Sequence, residues 1–105
     1  MIALNDLTKA RREGLRWNLL NTLNLCRPYT ASETQLLDVM RGIYMDASGL
    51  ELRKELDYLL DRALLTIVKS PSGTWFADIT RDGVDLVEYT VECDPGIARP
   101  PRYGI

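Results

Sequence analysis

Two Ser/Thr-x-x-Glu boxes, Thr30-Ala31-Ser32-Glu33 and Ser48-Gly49-Leu50-Glu51, constrain this chain more than any other feature. In such a box the hydroxyl accepts from a backbone N–H of the first helical turn while the glutamate reaches back to the cap, so each box marks a helix start. The first predicts a helix with Leu36, Leu37, Met40, Ile43 and Tyr44 on its apolar face. Gly42 loosens the end of that helix, and a turn follows through Tyr44-Met45-Asp46-Ala47. The second box opens a helix in which Leu52, Leu56, Leu59, Leu60 and Ala63 form one stripe at i, i+4, i+7, i+8 spacing and run on one further turn. Two short capped helices about a tight turn are the pattern of a helix-turn-helix.

The flanks extend that pattern. Asp6 to Cys26 reads as a first helix, with Leu15, Leu19, Leu23 and Cys26 on one stripe. Arg27-Pro28 ends it, because a residue before proline is pushed out of the α region. After the third helix the period changes. Leu64 to Lys69 and Trp75 to Ile79 read as strands joined by the turn Ser70-Pro71-Ser72-Gly73-Thr74. Thr80 caps a last helix, Arg81 to about Val91, in which Val84, Val87 and Val91 face inward and Leu86 and Tyr89 outward. The chain thus divides into a domain at residues 1–92 and a Pro-rich tail at 93–105 that is expected to run extended.

Length and composition fit one globular domain: 105 residues, 46% hydrophobic and 27% charged. No apolar run approaches the roughly 20 residues of a membrane span, and Met1-Ile2-Ala3-Leu4-Asn5-Asp6 has no basic segment leading into an apolar one, so neither membrane nor secretory leader is expected. Histidine is absent and only Cys26 and Cys93 carry thiols. That removes the usual transition-metal ligand sets and the Ser-His and Cys-His dyads, so no metal, no cofactor and no enzymatic activity are expected. Cys26 is expected to serve as a small core residue. Net charge is −2, a poor footprint for a nucleic-acid binder, yet residues 1–30 hold five basic side chains against two acidic.

The passage Leu59-Leu60-Asp61-Arg62-Ala63-Leu64-Leu65, then the hairpin, then Ile79-Thr80-Arg81-Asp82-Gly83-Val84, resembles the recognition-helix and wing passage of MarR-, PadR- and ArsR-like winged helix-turn-helix regulators. Nearly the whole chain, and its ending Pro95-Gly96-Ile97-Ala98-Arg99-Pro100 above all, resembles small winged-helix proteins of Mu-like phages and prophages. The resemblance implies a mainly α fold with a small β-hairpin, in the order of three helices, a two-stranded wing and a fourth helix. It also implies a non-enzymatic DNA-binding protein in the cytosol of a bacterial host, acting in transcriptional regulation or phage DNA handling.

In that arrangement the third helix enters the major groove and the wing touches the backbone. Leu50, Arg53, Lys54, Asp57 and Tyr58 on the helix, with Lys69, Ser70, Ser72 and Thr74 on the wing, are then the candidate contacts to double-stranded DNA. Asp57 and Asp61 on the same face oppose phosphate contact. Lys9, Arg11, Arg12 and Arg16 form a candidate basic patch on the first helix, facing phosphates or an acidic partner. Trp17 falls near 200° on a helical wheel whose core stripe lies near 40°, at about 100° per residue. With Leu86 and Tyr89 it forms a candidate interface for a homodimer or for another phage protein. The alternative is a protein-interaction adaptor that keeps the scaffold without binding DNA, since fold alone does not settle function.

Overall fold

The computed structural model describes residues 3–102. Four helices and three short strands follow in the order α1 (Leu4–Cys26), β1 (Ala31–Ser32), α2 (Glu33–Ile43), α3 (Gly49–Asp61), β2 (Leu65–Lys69), β3 (Trp75–Ile79) and α4 (Arg81–Val87). The strands form one antiparallel sheet in the order β1-β3-β2. No helix among the described residues is long and apolar enough to cross a membrane.

The caps are where the boxes place them, with one shift. Ser32, not Thr30, caps α2: its hydroxyl accepts from the Gln35 N–H, and the Gln35 side chain accepts from the Ser32 N–H. Ala31 and Ser32 are thereby left extended and pair with Ala77 and Phe76, adding a third strand to the expected two-stranded hairpin. Ser48 caps α3 by accepting from the Glu51 N–H, and Thr80 caps α4 by accepting from the Gly83 N–H. The Thr80 hydroxyl also donates to the Ala63 carbonyl, tying the start of α4 to the end of α3. Gly83 permits that closeness, because a Cβ there would strike the Leu64 carbonyl and the Ile79 side chain.

α3 stops at Asp61, a turn earlier than its leucine stripe suggests. Ala63 adopts a left-handed conformation (φ 60°), its N–H donates to the Leu60 carbonyl and the Leu64 N–H to the Leu59 carbonyl. This hydrogen-bond pair closes a helix C-terminus and turns the chain into β2. Tyr89 (φ 61°) closes α4 in the same way, with Tyr89 N–H to Leu86 and Thr90 N–H to Asp85.

The core gathers Leu15, Leu19, Leu20 and Leu23 of α1, Leu36 and Met40 of α2, and Leu52, Leu56 and Leu59 of α3. Ala31, Leu65 and Ala77 of the sheet, Ala47 and Leu64 on either side of α3, Leu86 and Val87 of α4, and Ile97 of the tail complete it. Three expectations are corrected here. Leu60, assigned to the buried stripe, is exposed, and Glu55 is buried in its place. Leu86, assigned to an outer face, is only 5% exposed, whereas Val91 is exposed. The reversal at Tyr89 ends α4 at Val87, so the wheel drawn through Val91 has no helix under it. The tail also does more than run extended. It turns at Pro95–Ile97, and Ile97 is buried in the same core as α1.

Candidate functional site

Arg53 shows how α3 is used. Its guanidinium donates to both carboxylate oxygens of Glu33 at 2.8 and 2.7 Å, donates to the Gly73 carbonyl at 2.8 Å, and lies over the Trp75 ring at 4.6 Å. Glu33 in turn accepts from the Trp75 N–H. One arginine of α3 is therefore bound to the start of α2 and to the hairpin turn. The Arg53 ion pair holds the Glu33 carboxyl below its ordinary value of 4.5, with the Trp75 N–H adding to the effect against the cost of partial burial. A lowered carboxyl contributes stability that is fully present above its ordinary value and is lost as pH falls from that value through the lowered one. Acid unfolding of Glu33→Gln, followed by tryptophan fluorescence, is expected to show a shallower loss of stability below about pH 4.5 than the parent.

The rest of the expected contact set is only partly brought together. Leu50, Lys54 and Asp57 stand exposed on α3, with Asp61 at its end. Tyr58 does not project: Arg16 lies over its ring at 3.4 Å and Arg62 at 4.8 Å. On the hairpin, Lys69 lies over Trp75 at 4.4 Å. The hydroxyls of Ser70, Ser72 and Thr74 bond to one another, Ser70 to Ser72 at 2.7 Å and Ser72 to Thr74 at 3.5 Å. What α3 presents outward is one cation, two carboxylates, Leu50 and Leu60.

The four cations of α1 do not form one patch. Arg11 forks onto Glu51 at 2.7 and 2.9 Å and reaches Asp46 at 2.9 Å, and these two carboxylates hold its guanidinium above its ordinary range. Arg16 pairs with Glu55 at 2.7 Å and donates to the Gly96 carbonyl at 2.9 Å, with both side chains largely out of water. Lys9 stands 3.9 Å from Glu13. Arg12 is exposed and shares a groove of about 340 Å³ with Thr8, Leu50 and Lys54.

Comparison with family models, curated proteins and solved structures returned no match.

The residues expected at a dimer interface sit elsewhere. Leu86 is in the core. Tyr89 lies under the tail, donating its hydroxyl proton to the Pro100 carbonyl at 2.5 Å, with Arg99 over its ring at 4.5 Å. Trp17 is half-buried and meets the edge of the Tyr89 ring at 6.4 Å between centroids. A different apolar surface is open. Leu25 and Tyr29, each 78% exposed, and the partly exposed Val39 edge a groove of about 390 Å³ floored by Cys26, Ala31 and Leu36. Sequence reasoning missed this surface because Leu25 and Val39 lie off the core stripes, where single apolar residues carry no signal.

Proposed function

We propose that the chain is a winged-helix domain of the kind found in Mu-like phages, and that it works as a non-enzymatic protein-interaction adaptor in a bacterial host's cytosol. The order of three helices, a hairpin and a fourth helix supports the scaffold.

The observation that carries the adaptor reading is the engagement of Arg53. A groove-reading helix needs arginine free to neutralise phosphate or to fork onto guanine. Here the arginine of α3 is committed to Glu33 and to the Gly73 carbonyl. The exposed Asp57 repels phosphate, as does the net charge of −2. The groove edged by Leu25, Tyr29 and Val39 supplies instead an apolar surface of the sort that marks protein contact.

One observation favours DNA as a second reading: Arg12 and Lys54, both exposed, stand on the same groove, whose carboxylates Glu51 and Glu55 are paired with Arg11 and Arg16. Titration of a labelled random duplex at low salt separates the two, since phosphate contacts show there first. No saturable binding is the expected result. Binding that weakens in both Arg12→Ala and Lys54→Ala overturns the adaptor reading in favour of DNA. A photo-crosslinking residue placed at Tyr29 is expected to trap a discrete protein adduct in host cells, and Val39→Asp to abolish it.

A further inference from the structure

The tail folds back to wall a cleft of about 640 Å³ between α1, the end of α3 and residues 93–102, a volume ordinary for small-molecule sites. Lys9, Arg62, Arg99 and Arg102 line it, against Glu13 and Asp94. Four cations less two carboxylates leave a surplus of two positive charges, in a chain whose net charge is −2. We propose that this cleft binds a small phosphomonoester.

Two of the guanidiniums are held in place before any ligand arrives. Arg62 donates one Nη2 hydrogen bond to the Pro95 carbonyl at 2.9 Å and lies 4.8 Å from the centre of the Tyr58 ring. Arg99 donates through Nη1 to the Leu86 and Val91 carbonyls at 2.9 and 2.8 Å and lies 4.5 Å from the centre of the Tyr89 ring. A guanidinium has five N–H donors, so each keeps several to offer. Their fixed orientation lowers the ordering cost of binding. Arg102, 5.6 Å from the centre of the Tyr89 ring, and Lys9, 66% exposed, stand at the rim.

The Tyr89 ring is the platform for Arg99 and Arg102. The ligand class follows from charge and shape. Guanidinium forks match the oxygens of phosphate, and a phosphomonoester is a dianion above its second ionisation near pH 6, which equals the surplus of the cleft.

Calorimetric titration of the full chain at pH 8 and low salt, with phenyl phosphate as probe and phenyl sulfate as its singly charged counterpart, tests this. Saturable one-to-one binding of phenyl phosphate with Kd at or below about 1 mM is expected, and phenyl sulfate is expected to bind about tenfold more weakly. Arg102→Gln and Lys9→Gln each remove a rim cation without touching the core, and each is expected to weaken phenyl phosphate binding about tenfold with an unchanged melting temperature. Arg12→Gln, on the other groove, is expected to leave binding unchanged. Absence of saturable binding, equal affinity for the two probes, or indifference to both rim substitutions overturns the proposal.

Discussion

Ile97→Ala is expected to lower the unfolding free energy by about 2–4 kcal/mol, the cost of truncating a buried aliphatic side chain and leaving a cavity. This is a large effect for a residue in a segment that reads as a Pro-rich tail. Ile97 is only 6% exposed, in the core shared by α1, α3 and α4. Four hydrogen-bond anchors surround it: Arg16 to the Gly96 carbonyl, Ala98 N–H to the Glu13 carbonyl, Arg62 to the Pro95 carbonyl, and the Tyr89 hydroxyl to the Pro100 carbonyl. Gly96 lets the chain pass, because it sits at φ 113° and a Cβ there would collide with the Tyr58 hydroxyl. Gly96→Ala is accordingly expected to cost about 1–3 kcal/mol, while the exposed Asp94→Asn stays within about 0.5 kcal/mol of the parent. Urea unfolding followed by tryptophan fluorescence checks all three. A parent-like midpoint for Ile97→Ala would mean that the tail hangs free of the domain in solution.

Glu55→Ala carries the second large effect, an expected loss of about 3–5 kcal/mol, because it strands the Arg16 charge in a nearly dry site. Glu55 is 4% exposed and receives the Arg16 Nε at 2.7 Å, with the Tyr58 ring covering the guanidinium at 3.4 Å. The loss measures the isolated charge more than any net strength of the pair. The double variant Arg16→Met/Glu55→Leu, which removes both charges at similar volume, is therefore expected to recover most of the loss. Thermal unfolding of the parent, Glu55→Ala and the double variant decides it. A double variant no more stable than Glu55→Ala would show that Arg16 serves chiefly as the anchor of Gly96, a bond the methionine cannot make.

Part of this architecture is legible from local rules alone. Ser48 and Thr80 announce α3 and α4, because a cap is completed within one helical turn and needs no tertiary partner. The Ser70–Thr74 turn lies between β2 and β3 for the same reason. The stripes of α1 and α2 likewise predict Leu15, Leu19, Leu23, Leu36 and Met40 as core.

The misreadings arise where a distant residue changes a local choice. The leucine stripe predicts Leu60 as buried and assigns Glu55 to neither face, and Arg16, 39 positions away in sequence, lets Glu55 enter the core by pairing with its carboxylate. Extending α4 to Val91 turned Leu86 outward, whereas the reversal at Tyr89 ends the helix at Val87 and leaves Leu86 in the core. Side-chain type alone nominates the candidate contacts of α3 and α1. Long-range pairing decides which cations remain available: Arg53 is taken by Glu33, Arg11 by Glu51 and Asp46, and Arg16 by Glu55, while Lys54 and Arg12 stay outward.

The sequence by itself thus determined the number and order of the helices, the starts of α3 and α4, the position of the hairpin and much of the core, since caps, turns and stripes act over a few residues. Tertiary structure alone decided the third strand at Ala31–Ser32, the docking of Ile97, the burial of Glu55 and the disposition of the arginines. Each of these is a pairing between segments far apart along the chain, whose partners come within hydrogen-bonding or packing distance only after the chain has folded.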